Sequence, residues 1–122
     1  MHRVMQSIPV VLVLATAAHA AAPAADTRES IETAVLACHV QYARDYATHV
    51  DAAPSEIAAG AFAACRQQMD AFDALAPRLA KEDAHVAIGV GDARATERGI
   101  MARFREDIRN ATIDAVIRAR AR

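Results

Sequence analysis

The chain has 122 residues, of which 54% are hydrophobic and 4% are aromatic, and its formal net charge is −1. A chain of this length is enough for one domain and too short for two. Roughly a quarter of the residues are alanine and tryptophan is absent, which favours helices over sheets. A GC-rich genome produces the same alanine content, so the spacing of apolar residues has to decide the fold class.

The N-terminal segment has the features of an export signal. Arg3 precedes an apolar run from Ile8 to Ala18, and Ala18-His19-Ala20 matches the small-x-small pattern at which signal peptidase cuts. We therefore predict a signal peptide over residues 1–20, cleaved after Ala20, and a periplasmic or secreted product. The apolar run is about a dozen residues, against the roughly twenty that span a bilayer, so an uncleaved anchor is the less favoured alternative.

We expect residues 21–25, a tail of small residues, to be disordered, and residues 26–122 to form a single helical domain. The first helix is predicted over about 28–49, with Asp26 or Thr27 as its N-cap. Its apolar residues recur every three or four positions, as one face of an α-helix requires: Ile31, Val35, Cys38, Tyr42 and Tyr46. The segment Asp51–Ser55, which contains a proline, ends this helix and caps the next.

The second helix is predicted over about 56–76. Its apolar face has the same spacing: Ala58, Phe62, Cys65, Met69, Phe72, Ala76 and Leu79. Pro77 predicts an end or a kink, because proline inside a helix costs about 3 kcal/mol. A short helical piece follows over about 78–88, and two glycines then separate it from a long C-terminal helix over about 93–119. The predicted fold class is therefore all-α.

The midpoint between the two cysteines, Cys38 and Cys65, falls within the predicted turn, and each cysteine lies on the apolar face of its own helix. In an antiparallel hairpin such positions lie level with one another. We predict that a disulfide clamps the hairpin and stabilises it by roughly 3 to 3.5 kcal/mol. The same register pairs Ile31 with Phe72, Val35 with Met69, Tyr42 with Phe62, and Tyr46 with Ala58. The alternative is a pair of free cysteines buried as small apolar residues.

The first helix has more apolar surface than one hairpin contact uses. Leu36, Val40 and Ala43 lie on a second side of it. We expect the C-terminal helix or, alternatively, a second subunit to cover this side. Residues 26–92 carry a net charge of about −6 and residues 93–122 about +4. The basic excess includes a cluster of C-terminal arginines: Arg118, Arg120 and Arg122. The helix dipole favours cations there, although such a cluster also suits an anionic membrane surface.

The sequence shows no pattern typical of catalysis, metal binding or a cofactor. The histidines His39, His49 and His85 lack the spacing of a ligand set. Ser30 and Ser55 lie outside any nucleophile motif, and no phosphate-binding loop is present. We therefore predict no catalytic residues, no metal, no cofactor and no enzyme activity.

These observations lead to a prediction of broad function only. The first hypothesis is a non-enzymatic envelope component that binds another protein or itself, with an interaction surface that includes Leu36, Val40, Ala43 and the three C-terminal arginines. The alternative is a membrane-surface or anionic-lipid-binding module that uses the arginine-rich C-terminal helix. Export argues against nucleic acid as a partner.

Overall fold

The computed structural model describes residues 27–86 and 93–122. These residues form four α-helices that pack together: α1 (Arg28–Ala47), α2 (Pro54–Ala64), α3 (Arg66–Val86) and α4 (Ala93–Arg120). The predicted all-α fold is confirmed. The predicted signal peptide, the tail over residues 21–25 and the glycine turn before α4 lie outside the described residues.

α1 begins with a reciprocal cap. The amide of Ser30 donates to Oγ1 of Thr27 at 3.1 Å, and the amide of Thr27 donates to Oγ of Ser30 at 2.9 Å. Two of the amides that a helix start leaves without partners are thereby satisfied. Thr27 is thus the N-cap, as one of the two predicted candidates, and α1 ends at Ala47, two residues before the predicted end.

α2 starts at Pro54, which occupies the first turn of the helix, where proline needs no amide partner. The Glu56 carboxylate reaches back and accepts a hydrogen bond from the amide of Ala53 at 2.8 Å. The structure therefore starts this helix slightly earlier than the sequence predicted, at the proline itself.

The interruption of the second predicted helix lies at Cys65. An end or a kink was predicted at Pro77, and the helix does not end there. Cys65 has backbone angles of −97° and 23°, outside the helical values, and it separates α2 from α3. α3 continues through Pro77 to Val86, so residues 78–86 of the predicted 78–88 piece are part of it, and the last two residues of that piece lie outside the described residues. Pro77 lies on the exposed side of α3, where water can hydrate the carbonyl that loses its partner.

The chain runs up through α1, down through α2 and α3, and up again through α4. α4 packs against all three other helices, as expected for the spare apolar side of α1. The larger of two core clusters joins α1, α3 and α4 around Phe72, whose ring stacks on Phe104 at 3.7 Å between centroids. The smaller cluster joins α1, α2 and α4 through Ala43, Ala47, Ile57 and Val116.

The predicted apolar face of α2 and α3 is buried at every position except Phe62, which is half-buried. On α1 the buried positions are Ile31, Val35, His39, Ala43 and Ala47. Beyond Val35 the core therefore selects residues one position later than predicted, because α4 as well as the hairpin covers α1. This shift buries His39 and leaves Tyr46 at the surface.

Candidate functional site

The predicted disulfide is present. Cys38 and Cys65, 27 residues apart, are bonded, with their Cα atoms separated by 5.9 Å. Ile31, Val35, Met69 and Phe72 share the larger core cluster, in agreement with the predicted register. Nearer the turn, Phe62 packs edge-on against His39 at 4.8 Å between ring centroids, and Tyr42 stacks on Tyr46 at 4.3 Å.

His39 is the buried polar group beside the disulfide. Its Nδ1 lies 2.9 Å from the carbonyl oxygen of Val35. Its Nε2 is buried without a hydrogen-bond partner. Burial lowers the pKa of His39, because a charged imidazolium would lose its hydration; the hydrogen bond to Val35 offsets part of this effect. His39 is therefore a neutral core residue at neutral pH, with Nδ1 as the donor.

Two cavities lie along the seam between α1 and α4, the lower of them bordered also by Phe72 and Asp83 of α3, and we describe them together as a groove. Its upper part, near the C-terminal end of both helices, is a cavity of about 540 Å³. Val40 and three alanines of α4 line its floor, and the charged side chains around it are Arg44, Asp114, Arg118 and Arg122. Three cations and one anion give this end of the groove a positive balance.

The lower part of the groove, near the start of α1, is a cavity of about 590 Å³. Leu36 and the aromatic pair of Phe72 and Phe104 contribute apolar surface. The charged side chains here are Arg28, Glu32, Asp83, Arg103 and Asp107. Three anions and two cations give this end a negative balance. The two ends of one groove therefore carry charges of opposite sign.

The two cavities follow one another along the same pair of helices. Leu36 in the lower cavity and Val40 in the upper one are one turn apart on α1, and Ile108 and Ala111 hold the corresponding positions on α4. We call the whole feature the α1/α4 groove. From Arg28 to Arg44 it follows about 24 Å of helix at 1.5 Å per residue.

The C-terminal arginines that the sequence singled out have different surroundings. Arg120 donates hydrogen bonds to three backbone carbonyls of the α1–α2 turn, those of Ala47, Val50 and Ala52, at 2.6 to 3.0 Å. Arg118 pairs with Asp114 one turn earlier on α4, at 2.5 Å. Arg122 borders the upper cavity. The three side chains therefore do not form one undivided cationic patch.

The apolar residues of the predicted interaction surface also divide. Leu36 is 41% exposed and Val40 is half-buried, and both face the groove. Ala43 is completely buried in the smaller core cluster and is inaccessible to a partner. Of the three predicted apolar residues, the two that a partner can reach are thus the two in the groove.

Arg44 and Asp107 belong to the groove and were not among the predicted surface residues. Arg44 lies one turn after Val40, so the spare side of α1 already placed it beside the predicted surface. Asp107 gave no such signal, because its position depends on the way α4 is laid along α1.

Within residues 27–86 and 93–122, no three histidine, cysteine or carboxylate side chains come together as a metal site requires. No helix in the same two ranges is long and apolar enough to cross a membrane. Comparisons with protein-family models, with curated proteins and with solved structures found no match to this chain. A function for this chain therefore has to be inferred from the geometry of the groove.

Proposed function

We propose that this chain is an exported, non-enzymatic helical protein that binds protein through the α1/α4 groove. The observation that carries the proposal is the groove itself: a helix-length seam with exposed Leu36 at its centre and separated charges at its ends. An amphipathic helix fits such a seam by placing its apolar stripe along the floor. Ordered charges at the two ends would select the orientation of the partner.

Export is part of the proposal and is supported from two sides. The first twenty residues have the order of a signal peptide, and the disulfide between Cys38 and Cys65 is of the kind that persists in oxidising compartments. The expected location is the periplasm or the exterior of the cell.

The membrane-surface alternative has less support. Lipid headgroups would need the C-terminal arginines to face outward as one patch. Arg120 instead holds the α1–α2 turn, and Arg118 is paired with Asp114. Protein is therefore the better candidate for the occupant of the groove.

Site-specific photo-crosslinking in the exported, full-length product tests the proposal. A photoreactive amino acid replaces Leu36 in the groove or, as a matched control, Ala63 on the exposed side of α2. We expect protein adducts, identified by mass spectrometry, from position 36 and none from position 63. Adducts with lipid, equal labelling from both positions, or no adduct from position 36 would each overturn the proposal.

A further inference from the structure

We infer that the occupant of the α1/α4 groove is a second copy of this chain, docked antiparallel about a two-fold axis; the inference rests on the proposed function. The charges of the groove motivate it. The upper end has three arginines and one aspartate, and the lower end has three carboxylates and two arginines. A face with opposite charges at its two ends complements itself when one copy is reversed.

The symmetry follows from the direction of the helices. α1 and α4 run parallel, since Arg120 near the end of α4 reaches Ala47 at the end of α1. Two copies can pack these faces with their helices parallel or antiparallel. The parallel arrangement places the basic end on the basic end and is disfavoured. The antiparallel arrangement places α1 over α1 and α4 over α4, with each basic end over an acidic end.

The heights of the charged residues agree with this arrangement. The hydrogen bond from Nε of Arg120 to Ala47 places a residue of α4, to within the reach of an arginine side chain, level with the α1 residue 73 positions before it. Arg118 is then about seven residues above the centre of the groove, and Asp107 is about four below it. Reversal of one copy brings Arg118 and Asp107 of the two copies within about one helical turn of each other. The long arginine side chain spans that difference.

The centre of the same face supplies the apolar contact. Leu36 and Val40 lie on either side of the midpoint of α1, so reversal places Leu36 of one copy on Val40 of the other. The Arg118–Asp114 pair is exposed and contributes only a few tenths of a kcal/mol within one chain. Arg118 is thus readily redirected to a carboxylate across the interface.

Size-exclusion chromatography with light scattering, on the disulfide-bonded exported protein, tests the inference. We expect twice the mass of one chain, with dissociation promoted by high salt. Asp107→Arg and Arg118→Glu should each weaken dimerisation by roughly tenfold or more, because each places like charges across the interface. The double variant should restore the dimer, because the reversed charges again face each other.

Asp70→Arg and Arg78→Glu make the same charge changes on exposed positions of α3 and should leave the dimer intact. Thermal unfolding by circular dichroism verifies that each variant is folded. Leu36→Glu, at an exposed position in the apolar centre of the proposed interface, is a further variant that should weaken the dimer. A monomer at all concentrations, or a dimer insensitive to both groove reversals, overturns the inference. A monomer that still crosslinks from position 36 to a different protein overturns this inference alone. A monomer without such adducts overturns the proposed function as well.

Discussion

The two clusters that make up the core differ in the size of their side chains, and we call them the α3 half and the α2 half. The α3 half, the cluster around Phe72, buries large side chains that include Met69, Leu75, Leu79 and Ile108. The α2 half is mostly alanine, with Ala43 and Ala47 against Ile57 and Val116. Burial of large apolar groups stabilises by about 25 cal/mol per Å², so the α3 half gains far more from burial alone.

The helices of the α2 half are held together by close packing, hydrogen bonds and the nearby disulfide. Its small side chains let helices approach closely: a Cβ atom placed on Gly60 would lie 2.6 Å from the Tyr42 hydroxyl oxygen. Arg120 binds the turn between α1 and α2 through three carbonyl oxygens. The disulfide lies between the two halves and fixes α1 to the start of α3. The bundle therefore combines one half filled by large apolar side chains with one half held by polar contacts, and a covalent link joins the two.

The largest effect should come from the α3 half. Phe72→Ala removes a ring that is 1% exposed and stacked on Phe104. We expect the free energy of unfolding to fall by about 3–5 kcal/mol, from lost burial and the cavity that remains. Urea denaturation measures it. Ala58→Gly, a small change at a fully buried position near the other end, should cost about 1 kcal/mol. Equal losses would contradict the contrast between the two halves.

The disulfide comes next. Replacing both Cys38 and Cys65 with alanine should lower the free energy of unfolding by about 3.5 kcal/mol, since the bond closes a loop of 27 residues in the unfolded chain. Chemical denaturation of the wild type, with and without reductant, gives the same comparison. Reductant should leave the double variant unchanged. A wild type whose stability is insensitive to reductant would show that the link between the halves is dispensable.

Local spacing predicted the features that depend on one helix or one pair of helices. The buried face of α2 and α3 and the disulfide register follow from intervals of three and four residues. The shift of burial from Cys38 and Tyr42 to His39 and Ala43 does not, because it depends on where α4 lies. The average cost of a proline inside a helix predicts an end or a kink at Pro77, and local spacing does not show that Pro77 falls on an exposed side of α3.

The groove was predictable to a similar extent. Leu36 and Val40 stood out as apolar positions that the hairpin does not use. The parallel course of α1 and α4, which brings Arg44 and Asp107 to opposite ends of one seam, depends on long-range packing. The hydrogen bonds from Arg120 to the carbonyls of the α1–α2 turn depend on the same packing. The sequence does not reveal them, because a C-terminal run of arginines is also typical of a helix end exposed to solvent.

His39 provides a pH-dependent test at the boundary between the halves. Its pKa is lowered below the ordinary 6.5 by burial, so the unfolded chain binds a proton before the folded one does as the pH falls. Stability contributed by neutral His39 is complete above the unfolded pKa. It should fall by up to about 1.4 kcal/mol per pH unit from about 6.5 down to the folded pKa.

The test compares urea denaturation of wild type and His39→Gln across that pH range, because carboxylates common to both proteins cancel in the difference. The variant should lose the part of the pH dependence due to His39. Identical slopes for wild type and His39→Gln would show that the folded state does not resist protonation of this ring.

The last prediction concerns Arg120 and the alanine-rich half. Arg120→Ala removes three hydrogen bonds from a cation to carbonyls at the end of α1 and in the following turn, and should cost about 1–2 kcal/mol. Arg109→Ala, at an exposed position on α4, should stay within about 0.5 kcal/mol of wild type. Amide hydrogen exchange locates the effect: the loss of Arg120 should accelerate exchange in residues 48–53 and leave α3 unchanged. Uniform acceleration across α2 and α3 would mean that Arg120 supports the whole bundle, and the two halves would then be one cooperative unit.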